Sequence, residues 1–332
     1  MKKTYNFICR FIALLLVMML PFSALAAPKS ASGFYFDTVV VITVYGDDKG
    51  FLTDMHGLCS QYERLLSRTV EGSDVWAINH AQGQPVTVSD DTMYLLRLAK
   101  EISAQTEGAF SMTIAPISMS WDFTGGTHKR PTAEETAAML PLVDDSKVIL
   151  GEDNTVTLPA DMRIDLGGIA KGYIADKMAE EMRNRGLSGI LNFGGNVYCV
   201  GAKEDGSLFR VGITDPFSEG RTSLLVVSCS EATTVTSGTY ERYFEEDGVR
   251  YHHIVDPKTG MPSTSDLVSV SLSGSSSAAC DAYATAGVVL GLEKALPLFT
   301  DLGLDALFIT QDGQVVTTPG FEDTYPMQML SK

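Results

Sequence analysis

Strand-like and helix-like segments follow one another in this chain without regular alternation, and that irregularity constrains the fold most. Thr38 to Tyr45 (TVVVITVY) is rich in β-branched residues and reads as a strand. Phe51 to Arg68 carries apolar residues at helical spacing, with Leu58, Tyr62, Leu65 and Leu66 on one face. Asp90 to Thr106 reads as a second helix, opened by a Ser89/Asp90 cap. Asp161 to Gly172 (DMRIDLGGIAKG) reads as a strand end, a glycine turn and a helix start, the helix running to about Arg185 with Gly186 as its stop. Strands are then expected at Ile190–Gly194, Phe209–Thr214, Ser223–Cys229, Tyr251–Val255, Val268–Leu272 and Ala306–Thr310, with a helix over Ala278–Leu290. A doubly wound parallel sheet would alternate strand and helix throughout, so the pattern predicts an α+β fold.

The 332 residues allow one large domain or two lobes. Hydrophobic residues at 45% and charged ones at 20% exclude a disordered chain. The net charge of −16, with no clustered run of Lys and Arg, argues against nucleic acid as a partner. It leaves room for a small phosphorylated ligand, which needs only a local cation or a metal. Lys2, Lys3 and Arg10, the apolar run Phe11–Leu20 and Ala24-Leu25-Ala26 describe a signal peptide over residues 1–26, with residues 27–32 as a short linker and 33–330 as the functional domain. The apolar run is well short of the ~20 residues of a membrane span. The protein is therefore expected outside the cytoplasm, in a periplasmic or similar compartment. An uncleaved signal would be its membrane contact. Cys59, Cys199, Cys229 and Cys280 are widely spaced with no C-x-x-C, which reads as buried free thiols rather than a zinc site. Thr124 to Arg130, rich in Gly and Thr, reads as a loop.

Four segments carry candidate chemistry. In Asp165-Leu166-Gly167-Gly168-Ile169-Ala170-Lys171-Gly172-Tyr173, glycines at a helix start let a ligand approach the backbone, and Lys171 adds a charge suited to phosphate. An ordinary tight turn with a surface lysine would look the same. Asn192-Phe193-Gly194-Gly195-Asn196 places two amides around a glycine turn, which is also common turn chemistry. His252-His253 precede the sharp turn of Asp256-Pro257 and Thr259-Gly260; a histidine there is either a general base or a surface residue. Asp281 and Thr285 stand i and i+4 on a helix, so one carboxylate and one hydroxyl face the same way, a hard-oxygen pair suited to Mg²⁺ held jointly with phosphates. An acidic residue favoured by the helix dipole is the plainer alternative.

Taken in order, DLGGIAKGY, NFGGN, TSGTYERYF, HHIVDPKTGMP and DAYATA resemble the signature blocks of the ApbE-type FAD:protein FMN transferases. SQYERLLSR, SDVWAIN and TEGAFSMTIAPISMSWDF resemble that family's N-terminal segments, so the likeness spans nearly the whole domain. It implies a two-lobed α+β body of largely antiparallel sheets, with FAD bound between the lobes. It implies that FAD is cleaved at its pyrophosphate with Mg²⁺, that FMN is attached through a phosphoester to a Thr or Ser of another protein, and that AMP leaves. The partners would be acceptor flavoproteins of exported or membrane electron-transfer systems. Carried over, Asp281 and Thr285 would ligate the metal through their side chains and Gly168 through its carbonyl. Phe36, Ala109, Phe110, Ser111, Asp165, Lys171 and Ile254 would contact FAD. His253 and Lys171 would be catalytic, the histidine as base or nucleophile. The chain departs from the family pattern at Phe36-Asp37 (for Met-Gly), Ser111 (for Asp) and Ala278 (for an acidic residue). The same site could serve an Mg²⁺-dependent FAD pyrophosphatase giving FMN and AMP, or an exported protein that only binds FAD.

Overall fold

The computed structural model describes residues 27–123, 128–203, 205–220 and 222–330. The expected signal peptide, and residues 124–127 of the expected loop, lie outside the described residues. An eight-stranded sheet forms the centre, in the order β1 (Lys29–Tyr35), β2 (Thr38–Tyr45), β6 (Ser188–Phe193), β7 (Asn196–Val200), β10 (Ala232–Gly238), β13 (Leu267–Gly274), β14 (Asp305–Thr310) and β15 (Val315–Thr317). β8 (Phe209–Thr214), β9 (Ser223–Cys229) and β16 (Met327–Met329) make a second sheet, ordered β16-β9-β8. β3 (Val86–Thr87), β5 (Thr155–Thr157) and β4 (Ile149–Leu150) form a small third one, and β11 (Tyr243–Glu246) and β12 (Val249–His252) a hairpin. Every strand pair among the described residues is antiparallel. With the helices packed against these sheets, the fold is α+β as expected.

The central sheet has a helical face and an outer face, and strand alternation decides which side chain goes where. On β2, Val40, Ile42 and Val44 are fully buried against helices, each worth about 1.5–3 kcal/mol of apolar burial. Three helices cover that face: α1 (Phe51–Leu66), α6 (Ala170–Asn184) and α7 (Ser277–Leu290). Between α1 and α6 lie α2 (Asp74–His80), α3 (Asp90–Gln105), α4 (Ala115–Trp121) and α5 (Ala133–Met139). The second sheet packs on the outer face, where Ile213, Leu225 and Val227 meet Leu307 and Ile309.

Several expectations are met closely. β2, β8 and β9 have the expected bounds, and the Ser89 side chain caps α3 by accepting from the Thr92 N–H at 3.1 Å. Cys59, Cys199, Cys229 and Cys280 are all buried and free. Elsewhere the structure differs. Residues 29–32, expected as linker, belong to β1, paired along β2 from Lys29↔Val44 to Tyr35↔Thr38. α1 buries Phe51, Met55, Cys59, Tyr62 and Leu66 and stops at Leu66, which releases Arg68 from the helix. Residues 161–165 form no strand, because the Asn79 side chain takes a partner strand's place: it accepts from the Ile164 N–H at 2.7 Å and donates to the Ile164 carbonyl at 2.9 Å. The expected strand Tyr251–Val255 stops at His252; the His253 N–H still reaches the Arg242 carbonyl opposite it at 3.0 Å, and Val255 makes only an isolated bridge to Pro262.

Candidate active site

The site begins where α6 starts against α7. A Cβ on Gly172 would sit 2.2 Å from the Ser277 carbonyl oxygen, so only glycine lets the two helices touch here. Two carboxylates stitch the contact. Asp281 Oδ2 accepts the Gly172 N–H at 3.2 Å, and Asp176, on α6, accepts the N–H groups of Ser277 at 2.7 Å and Ala278 at 3.0 Å. The close approach brings Lys171 to Asp281 at 3.4 Å, while its ammonium also donates to the Gly167 carbonyl at 3.0 Å. On the next turn of α7, the Thr285 hydroxyl donates to the Asp281 carbonyl at 3.2 Å and lies 3.2 Å from the Ser237 hydroxyl. At the start of α6 the Ala170 N–H donates to Leu166, Gly172 to Asp281 and Tyr173 to Ile169.

A cavity of about 610 Å³ opens over this junction, within the roughly 300–1,000 Å³ typical of ligand sites. Ala109, Phe110, Ser111, Asp165, Gly168, Lys171, His253, Ile254, Asp281 and Thr285 all line it. Of the residues singled out in the sequence, Phe36 stands apart. Its neighbours Asp37 and Thr38 line the wall, while Phe36 packs toward Tyr35 and the helical core and donates its N–H to Glu63 at 3.0 Å. The Ser111 hydroxyl donates to Asp145 at 2.8 Å, and that buried carboxylate also accepts from the N–H groups of Met112 and Thr113. Asp165 forms an ion pair with Arg68 at 2.9 Å and caps its own turn by accepting the Gly167 N–H at 2.8 Å.

On the far wall, Arg242 donates from Nη2 to the Asp37 carbonyl at 2.9 Å and receives the His253 N–H on its own carbonyl. Burial pushes the His253 imidazole down to about 3, helped by the positive charge of Arg242, by His252 and by Lys171. His253 is thus neutral at ordinary pH. His253 Nδ1 and Asn196 Nδ2 are buried in the cavity wall without hydrogen-bond partners among the described residues. Buried polar atoms are nearly always paired, so these two point to a polar ligand that completes them. Arg68, Arg242 and Asp145, which hold Asp165, Asp37 and Ser111, were not singled out by the sequence. Arg68 and Arg242 stood inside quoted segments, but their partners are distant in sequence.

The donor set suits a cation shared with phosphates. One carboxylate (Asp281), one hydroxyl (Thr285) and the backbone of Gly168 converge, the Gly168 Cβ position lying 3.9 Å from Thr285 Oγ1. Among the described residues no three His, Cys, Asp or Glu side chains gather as an all-protein metal cage. These are hard oxygens of the kind Mg²⁺ takes when substrate phosphates supply the rest.

Fold and site together give an α+β protein with a polar cavity lined by a lysine, hard-oxygen side chains and a histidine. The sequence profile of the ApbE family matches residues 36–308, and the chain belongs to that family. It is 33% identical over 292 residues to an FAD:protein FMN transferase of Klebsiella pneumoniae, covering 86% of this chain and 90% of the relative. It is 37% identical over 290 residues to one from Treponema pallidum, covering 82% and 80%. The crystal structure of the ApbE protein of Thermotoga maritima superposes with a TM-score of 0.84 at 28% identity, over 90% of this chain and 99% of that one.

Proposed function

We propose that this protein is an FAD:protein FMN transferase that works with Mg²⁺ outside the cytoplasm. The observation that carries the reading is the meeting in one cavity of Lys171, Asp281, Thr285, Gly168 and the neutral His253. Curated relatives with that activity align over most of the chain. The pyrophosphate of FAD lies at Lys171, and Asp281, Thr285 and the Gly168 carbonyl hold Mg²⁺. The ion, when bound, neutralises phosphate charge and polarises phosphorus. Lys171 shares the charge that builds on the phosphate oxygens. Ala109, Phe110, Ser111, Asp165 and Ile254 line the FAD-binding wall, with Arg68 fixing Asp165 and Asp145 fixing Ser111.

The chemistry follows from His253. A Thr or Ser hydroxyl of the acceptor attacks the FMN-side phosphorus. Its proton passes to the unprotonated imidazole. The bond from that phosphorus to the bridging oxygen breaks, and AMP leaves with that oxygen. The test is incubation with FAD, Mg²⁺ and an exported flavoprotein acceptor, followed by denaturation and mass spectrometry. An FMN adduct on the acceptor supports transfer. Free FMN with no adduct would make the protein a pyrophosphatase, and intact FAD would leave only a binder. Export rests on the signal-like residues 1–26, and N-terminal sequencing of the mature protein tests it. Among the described residues no helix is long and apolar enough to cross a membrane.

A further inference from the structure

The cavity has a second arm that the FAD-binding residues do not use. Alternation on β10 separates the two. Ser237 points to the helical face, where it meets Thr285. Thr234 points to the outer face, where it meets Ser273 at 3.0 Å. The outer-face residues Asn192, Val197, Thr234 and Thr236 also line the cavity, which therefore wraps around the β6–β7 turn onto the other side of the sheet. One row of register runs across this outer face: Val41↔Asn192, Asn192↔Val197 and Val197↔Thr234. The row starts on an exposed apolar strip, Val41 at 37% exposure beside Val39 at 58%, with Phe34 at 70% directly opposite Val39. Such strips are uncommon on soluble monomers unless something covers them.

The other wall of this arm is β8. It is the terminal strand of its sheet, and Val211, Gly212, Ile213 and Thr214 line the cavity. An edge strand carries outward-facing N–H and C=O groups that can pair with an added strand. An exposed apolar strip beside the arm and a strand edge with no further strand paired to it among the described residues together form a receptor for extended polypeptide. FAD has no backbone to pair there.

We propose that the outer arm is the docking groove for the acceptor protein. An extended acceptor segment pairs along β8 and lays apolar side chains on Val41, Val39 and Phe34, which delivers its Thr or Ser around the β6–β7 turn to the phosphorus. This rests on the transferase reading above, because that reaction needs a second, macromolecular substrate to approach independently of FAD. The groove selects partners by extended backbone and apolar side chains, and the FAD wall by phosphate.

The test pairs a double variant with an exchange measurement. The probe is an acceptor protein domain on which wild-type transfer has been measured, so a wild type without transfer would fail the transferase reading and not this one. Val39→Glu/Val41→Glu is expected to raise the KM for the acceptor about tenfold, while FAD affinity stays at the wild-type value. An unchanged acceptor KM, or weakened FAD binding, overturns the proposal. In wild-type protein, adding the acceptor is expected to slow amide hydrogen exchange at residues 211–214, and adding FAD alone is not. Protection by FAD alone, or none by the acceptor, overturns the proposal even if the variant misfolds.

Discussion

The two walls of the cavity are built to different standards. The α6–α7 wall is clamped through backbone: a glycine with no room for a methyl group, and two carboxylates each holding N–H groups of the opposite helix. The opposite wall hangs on long side chains. Phe36 and Asp37 both take left-handed backbone, at φ 55° and 56°. They form the two-residue turn of the β1–β2 hairpin, closed by Tyr35↔Thr38, with one further contact from Glu63 and one from Arg242. The clamped wall fixes Lys171 against Asp281. The other wall carries His253, whose N–H is held by the Arg242 carbonyl. Of the two turn residues only Asp37 lines that looser wall, while Phe36 packs away from it.

The sharpest probe of this contrast is His253. His253→Ala is expected to leave FAD binding intact and to cut transfer by roughly 10²–10⁴-fold, the span of a general base. Fluorescence titration of FAD beside a transfer assay checks it, and wild-type transfer would remove His253 from the mechanism. Asp281→Ala strikes the clamped wall, so it is expected to lose at least about 100-fold in Mg²⁺-dependent activity and to melt lower as well. A variant that still responds to magnesium like wild type would place the cation elsewhere. Gly172→Ala overpacks the helix junction against backbone and is expected to cost about 1–3 kcal/mol by denaturant unfolding.

A subtler probe is pH. The buried His253 takes a proton far less readily than its ordinary pKa of 6.5 allows. Between about 6.5 and about 3 the unfolded chain binds this proton and the folded one does not, so the histidine's contribution to stability is full above 6.5 and is lost as pH falls toward 3. Transfer by wild-type protein should show no inflection near 6.5 assignable to this histidine; such an inflection, abolished in His253→Ala, would contradict a buried neutral ring. The smallest effect is expected at Asp37→Gly, where relief of the left-handed backbone changes stability by less than about 1 kcal/mol and spares FAD affinity. A large loss there would show that the looser wall is as tightly specified as the clamp.

What could be read from the sequence was what local chemistry determines. β-Branched runs gave β2, β8 and β9 their bounds, and Ser89 and Gly186 marked helix ends through capping and left-handed backbone. The segment KSASG has small and polar residues with little strand preference, and it is a strand because β2 offers its edge. Residues 161–165 look extended and form no sheet, because a side-chain amide supplies the missing partner. The site was legible where motif residues carry the chemistry themselves. It was not legible where a residue acts through a distant partner: Arg68 lies 97 positions from Asp165, and Asp145 lies 34 from Ser111.

The order of strands in the central sheet also sets a timetable. β2 pairs on its inner side with β6, so Val40 must wait for Phe193, more than 150 residues later, before its ladder closes. The helices α1 to α6 can condense locally in the meantime, but β1 and β2 remain a two-stranded ribbon, which is at best marginally stable alone in water. Closing so long a loop is entropically costly and makes such sheets slow to form. The cavity draws its walls from β6, β7, β8 and β10 together, so ligand binding during refolding is expected to follow pairing of these strands, which stopped-flow binding against core fluorescence checks.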